Sequence, residues 1–359
     1  MTTKTASRNR HWCPLQQRIF ALAAWLTSVL FAASLAGAAA ARTAIDVHGT
    51  LSVEGNRIVD NAGRPLSIAG PSLFWGNEGM GQRADFPPDA YYNAAVVRWA
   101  RREWNAPIIR IAMGAESPGG YIDGPDGRWA KIKAVADAAI AEGMYFIVDW
   151  HSHHAEDHPE EAVGFFRRVA AAYGDTPNLI YEIYNEPLDT ADWSTDIKPY
   201  AETLIRAIRD VDPDNLIVVG TQTWSQDVDK AADDPIEGFT NIAYALHFYA
   251  GTHKQALRDK ALYAIGKGLA LMVTEWGTVN ANGDGDTDVE ETRRWMEFLR
   301  EHQLSHCNWS LHSKEEGASI LTRSSRPDAN WTDANLTGSG RLVRDIIRGW
   351  HEHDYAGGG

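Results

Sequence analysis

Three observations predict a (β/α)8 barrel, a TIM barrel preceded by a small N-terminal β-hairpin. Eight short apolar strand candidates recur along the chain, amphipathic stretches separate them, and polar and aromatic residues gather where the strands end. The strand candidates are Leu66–Gly70, Pro107–Ala112, Met144–Asp149, Leu179–Asn185, Leu216–Gly220, Ile242–His247, Leu269–Glu275 and Ser305–Leu311. Helical periodicity covers Asp89–Glu103, Trp129–Glu142, Pro159–Tyr173, Ile197–Val211 and Val289–His302, and Leu342–His351 closes the series. Strands that are apolar on both faces and alternate with helices imply a parallel sheet covered by helices. An open doubly wound sheet would also alternate in this way. No glycine-rich phosphate fingerprint follows any early strand, which favours the closed barrel.

The first 41 residues stand apart. Lys4, Arg8, Arg10 and Arg18 precede an apolar run from Ile19 to Leu35, and small residues, Gly37 to Ala41, follow it. That order is the pattern of a secretory signal peptide, with cleavage expected near residue 41 and residues 42–359 left as one catalytic domain. The whole chain carries a net charge of −14, and losing four cations would make it more negative still. So acidic a chain is not built for nucleic acid or anionic membrane, because both need basic patches. Of two cysteines, Cys13 lies in the leader and Cys307 on the eighth strand, so the exported chain has no internal disulfide. Ala44–Pro65 reads as the hairpin, with Glu54-Gly55-Asn56 and Asp60–Gly63 as its turns.

Barrel sites lie at the carboxyl ends of the strands. The run Ile180–Pro187 reads as a strand stopped by Pro187, which cannot donate to a sheet, leaving Glu186 at its end. Alternation along that strand gives Glu182 and Tyr184 one orientation and Asn185 the other. Glu275 ends the seventh strand. Fourth and seventh positions in an eight-membered ring can converge over the barrel mouth. Two carboxyl groups in different protonation states suit glycosidic hydrolysis: one protonates the leaving oxygen, and the other attacks the sugar carbon when the two are about 5–5.5 Å apart. Burial or a neighbouring charge can keep the acid protonated, and a nearby arginine favours an ionised nucleophile. Arg110 can play that part for Glu275, Tyr249 can donate to the same carboxylate, and His151 or His247 can complete the polar shell.

The motifs resemble those of glycoside hydrolase family 5, the cellulase family, and within it the bacterial endo-1,4-β-glucanases. The likeness runs from about Leu51 to Ile347 through Asn105–Arg110, Ile147–His151, Tyr181–Pro187, Thr223–Asp229, His247–His253, Thr274–Gly277 and Asn308–Leu311. The resemblance implies that Glu186 is the acid/base and Glu275 the nucleophile. It surrounds them with Arg110, His151, Asn185, His247 and Tyr249, placing Asn185 near a sugar 2-hydroxyl. It stacks Trp309 on a sugar, sets Lys314 and Glu316 on the same ring, and lets Trp75 and Trp224 extend the platform. The implied protein is a secreted monomer that takes β-1,4-glucan polysaccharide and oligosaccharides and needs no cofactor or metal.

Other readings compete. The same barrel can host an endo-mannanase or xyloglucanase, because fold does not fix substrate. The pair His151-Ser152-His153 resembles a metallohydrolase motif, yet that class wants its pair on the first strand and an aspartate on the last, where Trp309 stands. His153, His154 and His158 could hold an adventitious surface metal. A non-catalytic glycan-binding barrel would keep the tryptophans and lose a carboxylate, whereas both glutamates are here. Trp99, Trp104 and Trp350 read as core, and Asp284–Asp288 as a flexible loop, because Val289 and Trp295 stand where a calcium loop needs glycine and glutamate.

Overall fold

The structure is a computed structural model and describes residues 1–2, 42–78, 85–351 and 355. The expected leader, apart from its first two residues, lies outside them. A short helix α1 (Ala44–His48) opens the barrel unit, capped by Thr43, whose hydroxyl accepts from the Asp46 amide at 3.2 Å. The predicted hairpin follows as β1 (Ser52–Glu54) and β2 (Arg57–Val59), so it is shorter than Ala44–Pro65 and the helix takes its first residues.

Eight parallel strands then close into a barrel: β3 (Ala69–Leu73), β4 (Ile108–Gly114), β5 (Tyr145–His151), β6 (Leu179–Glu182), β7 (Leu216–Val219), β8 (Ile242–Tyr249), β9 (Leu271–Gly277) and β10 (His306–Leu311). The ring closes where β10 pairs with β3, Cys307 lying opposite Gly70. Gly70 has to be glycine: a Cβ there would stand 1.9 Å from the carbonyl oxygen of Ile108. The helices are α2 (Ala94–Trp104), α3 (Pro125–Ala141), α4 (Pro159–Tyr173), α5 (Lys198–Arg209), α6 (Val228–Asp233), α7 (Gln255–Gly266), α8 (Val289–Glu301) and α9 (Gly338–Arg348). The first barrel strand begins three residues later than its apolar run predicts, because Leu66 and Ile68 plug the barrel floor instead of pairing within it.

Strand alternation sorts the side chains into layers. On β4, Ile109, Ile111 and Met113 face the helices, and on β5 Phe146, Val148 and Trp150 do the same. The inward residues near the floor are apolar: Ile108, Tyr145, Ile147, Ile180, Val218, Ala243 and Met272, with Leu51 and Ile58 of the hairpin region packed beneath. One layer higher the inward positions become Arg110, Asp149, Glu182, Thr274 and His247, all buried. The barrel is therefore oily below and ionic above. Trp104 and Trp350 are buried, and Trp99 packs partly buried against Trp104 and Trp331. Asp288, in the loop that resembled half a calcium site, instead caps α8 by accepting from the Glu291 amide at 3.0 Å.

The outer layer is tied down by aromatic packing. Trp295 of α8 is fully buried, stacks on Phe248 of β8 with centroids 3.9 Å apart, and donates its indole N–H to the His253 carbonyl at 2.8 Å. Trp295→Ala removes that ring from a site with no solvent to fill it and should cost about 3–5 kcal/mol of unfolding free energy. Urea unfolding of the purified variant measures it, and a loss below about 1 kcal/mol would show that the α8 contact is dispensable.

Candidate active site

The upper, ionic layer is organised by Arg110. Its guanidinium is buried and reaches Asp149 on β5 at 2.9 Å, Glu182 on β6 at 2.7 Å and Glu275 on β9 at 2.9 Å. A charge with no exposed surface needs such partners, because water cannot solvate it. Neither Glu182 nor Asp149 carries a role in the sequence reading. The available signal was a charge in the middle of an apolar strand, which has to be paired if the strand is buried on both faces.

Two irregularities aim the glutamates. The strand predicted to run through Asn185 stops at Glu182, and the chain bends at Ile183. Alternation would set Asn185 opposite to Glu182; past the bend both face Arg110, which donates to Asn185 Oδ1 at 2.6 Å and to Glu182 Oε1 at 3.1 Å. Glu186 follows on the loop, its amide held by the Ser152 carbonyl at 3.2 Å. On β9 the register against β8 shifts, so that Ala245 lies opposite Met272 but His247 opposite Glu275. That bulge lets Thr274 and Glu275 both serve the interior, while Trp276 turns outward to stack on Phe248. Thr274 donates to Glu182 at 2.7 Å.

The carboxylates sit in different company. Glu275 accepts from Arg110 Nη1 at 2.9 Å and from the Tyr249 hydroxyl at 2.6 Å. Glu186 is bonded to His247 Nδ1 at 3.0 Å through Oε1 and to His153 Nε2 at 3.2 Å through Oε2. Burial raises the Glu186 carboxyl, but the two histidine bonds outweigh it and bring it down to about 2. Burial and then the Glu186 charge push Glu275 upward, against the pull of Arg110, His247 and Tyr249. This reverses the expected order of protonation in the resting site, for a clear reason. Cationic imidazole holds Glu186 as a carboxylate: His247 is lifted to about 9 by its bonds to Glu182 and Glu186 despite burial. Moving a proton onto Glu186 removes the charge that raises Glu275. His151 is different again: burial and Arg110 hold it well below the ordinary imidazole range, so it is neutral, with Nδ1 2.6 Å from Asp149.

Ligand atoms of Glu186, His247 and Glu275 lie within 4.8 Å of one another. Arg110 and His247 already bond to these carboxylates, Arg110 to Glu275 at 2.9 Å and His247 to Glu186 at 3.0 Å.

Two cavities meet at Glu186 and Tyr249. One, of about 230 Å³, is lined by Phe74, Trp75, His151, His153, Trp309, Lys314 and Glu316 with both glutamates. Trp309 stacks on His151 at 7° and is only 5% exposed, and Lys314 pairs with Glu316 and lies over the Phe74 ring. The other, of about 530 Å³, is lined by Thr223, Trp224, Gln226, His253 and Asn282 with Glu186, His247 and Tyr249. Trp224 therefore serves the opposite side of the cleft from Trp75 and Trp309. It projects from three successive left-handed residues, Thr223, Trp224 and Ser225, a conformation costing of order 1–3 kcal/mol per residue. The Trp224 amide bonded to the Pro187 carbonyl and the Ser225 hydroxyl bonded to the Asn185 carbonyl, both at 2.8 Å, hold that turn against the Glu186 loop.

Comparison with known proteins adds to this geometry. The sequence profile of the cellulase family, glycosyl hydrolase family 5, matches residues 59–315. The chain is 50% identical over 300 residues to Endoglucanase Z of Dickeya dadantii, covering 84% of this chain and 66% of the longer relative. A solved structure from Cytophaga hutchinsonii superposes with a TM-score of 0.81 at 46% identity, over 86% of this chain and 97% of that one. The catalytic domain of Thermobifida fusca endoglucanase Cel5A, solved in complex with cellotetraose, does so with a TM-score of 0.78 at 28% identity, over 85% and 99%.

Arg110→Met leaves three buried carboxylates without their cation and should cost about 3–5 kcal/mol near neutral pH. The uncompensated groups take up protons below neutrality, since their folded pKa values then lie above the unfolded ones. Their penalty is therefore fully present at high pH and shrinks as pH falls. Urea unfolding at pH 7.5 and pH 5 checks this, and an equal or larger loss at pH 5 contradicts it.

Proposed function

The chain belongs to the cellulase family, glycosyl hydrolase family 5, and on that premise we propose that it is a retaining endo-β-1,4-glucanase. The observation that carries the reading is the closeness of the two carboxylates. Oxygens of Glu186 and Glu275 fall within 4.8 Å of each other, in keeping with the close pair of about 5–5.5 Å that a retaining enzyme uses and not with the separation of about 6.5–9.5 Å of an inverting one.

In the first half of the reaction Glu275 attacks the anomeric carbon. Arg110 and Tyr249 hold its two oxygens, so the attacking carboxylate cannot rotate away. Glu186 gives a proton to the departing glycosidic oxygen as the bond to carbon breaks. In the second half Glu186 takes a proton from a water that attacks the same carbon and releases Glu275. Asn185 Nδ2 is buried and has no hydrogen-bond partner among the described residues; its place beside Glu186 suits a sugar hydroxyl as the missing acceptor. Trp75 and the small exposed part of Trp309 line one side of the cleavage point, and Trp224, 37% exposed, lines the other. A cleft with platforms on both sides of the cleavage point fits cutting within a polymer.

Support for a glucan also comes from the relatives named endoglucanases and from the neighbour solved with cellotetraose. The basic, apolar and small-residue order of residues 1–41 supports export, which would place the enzyme where polysaccharide is.

Reducing-sugar release on carboxymethyl cellulose, mannan and xylan tests the substrate. Activity should concentrate on the glucan and vanish in Glu275→Gln; activity concentrated on mannan or xylan would keep the chemistry and overturn the substrate. Glu186→Ala should lose at least about a hundredfold in kcat/KM on cellulose oligosaccharides, and far less on dinitrophenyl β-cellobioside, whose leaving group needs little protonation. Equal, substantial activity of both variants on the aryl glycoside would refute the assigned roles.

A further inference from the structure

His153 has no part in the reaction as described so far, yet it touches the acid/base more directly than any residue except His247. Its Nε2 lies 3.2 Å from Glu186 Oε2, while His247 Nδ1 holds Oε1 at 3.0 Å. Oε1 is thus committed to a buried imidazole, and Oε2 to the more exposed one. Oε2 is then the oxygen that has to meet the leaving group, and His153 now occupies its lone pair. The two imidazoles differ in access: the His247 side chain is 2% exposed and that of His153 36%.

Position is well determined. The His153 carbonyl accepts from the Tyr184 hydroxyl at 3.0 Å, and the neighbouring Ser152 carbonyl accepts from the Glu186 amide at 3.2 Å. The His153 loop and the Glu186 loop are therefore fastened together on both sides of the imidazole–carboxylate contact. Trp75 meets the His153 ring edge-on at 5.6 Å and confines it on the cleft side.

We propose that His153 is a solvent-facing proton carrier for Glu186, a positioning residue that holds Oε2 in the resting site and hands it a proton when a glycosidic oxygen arrives. This rests on the acid/base role proposed above. The step balances simply: the proton on His153 Nε2 moves to Glu186 Oε2, leaving neutral imidazole, and Oε2–H then gives it to the glycosidic oxygen. When Glu186 takes a proton from the attacking water, it returns that proton to Nε2.

The charges around the contact favour this exchange. Glu186 from the loop after β6, Glu275 from β9 and Glu116 from the loop after β4 all stabilise a cation on His153. His151, at the end of the strand that precedes it, opposes it only when charged, and burial with Arg110 keeps His151 neutral. On the far side of Glu186 stand His247, Tyr249 and His253, the last pushed down to about 4 by burial and so neutral. Burial also works against the His153 cation, but the bond to Glu186 and the acidic neighbours outweigh it and raise the imidazole above its ordinary value.

A proton shared between two sites leaves at a higher pH than from either site alone. His153 therefore extends the alkaline side of the activity profile. Profiles of kcat/KM against pH for wild type, His153→Gln and His153→Ala on cellotetraose and on dinitrophenyl β-cellobioside test this. Gln keeps a donor to Oε2 but carries no titrating proton. Both variants should move the alkaline limb on cellotetraose to lower pH by about one unit, and neither should move it on the aryl glycoside. A loss equal at every pH and on both substrates, or an unmoved limb on cellotetraose, would overturn the proposal while leaving the glycosidase reading intact. A wild type silent on both substrates would sink that reading and this one with it.

Discussion

One buried guanidinium sets the terms for the upper barrel. Arg110 has no exposed surface and binds carboxylates from three other strands, β5, β6 and β9. Such a cluster is poor evidence of stability, since well-packed apolar groups often serve as well. It fixes geometry instead. The same cation that balances Glu182 and Asp149 grips Glu275, and through Asn185 it reaches the residue next to Glu186. Any movement of one carboxylate has to be shared by the rest.

The consequence is a site in which protons, not atoms, are the mobile parts. Glu275 is gripped by Arg110 and Tyr249; Glu186 is gripped by two imidazoles. Electrostatic preorganisation of this sort avoids reorganising dipoles at the moment of reaction. It also explains why the resting protonation differs from what two isolated glutamates would suggest. An acid whose neighbours are cationic ionises, and its proton waits on the neighbour. The family's chemistry asks only that the proton be within one hydrogen bond of Glu186 Oε2, and the His153 contact satisfies that.

Much of this was legible in the sequence, and what was not has physical causes. The barrel showed itself because strands buried on both faces are apolar throughout and helices between them keep their period; Pro159–Tyr173 was placed to the residue. Glu186 and Glu275 could be named because each ends an apolar run beside an amide or an aromatic. Their aim could not be read. It depends on a bend at Ile183 and a bulge in β9, and both break the alternation on which sequence reasoning rests. Glu182 and Asp149 were passed over because a strand pattern reports burial and not pairing. The length of the hairpin was overstated because Ala44–His48 is a single helical turn, too short to show a period.

The double displacement requires a carboxylate that bonds to sugar, and Glu186 and Glu275 stand as close as a retaining pair does. Proton NMR of cellotetraose during its first minutes of cleavage tests this most directly. The β-anomer of the new reducing end should appear first, followed by slow mutarotation to the α-anomer. An initial burst of the α-anomer would mean inversion, and would contradict the double displacement at the centre of this description.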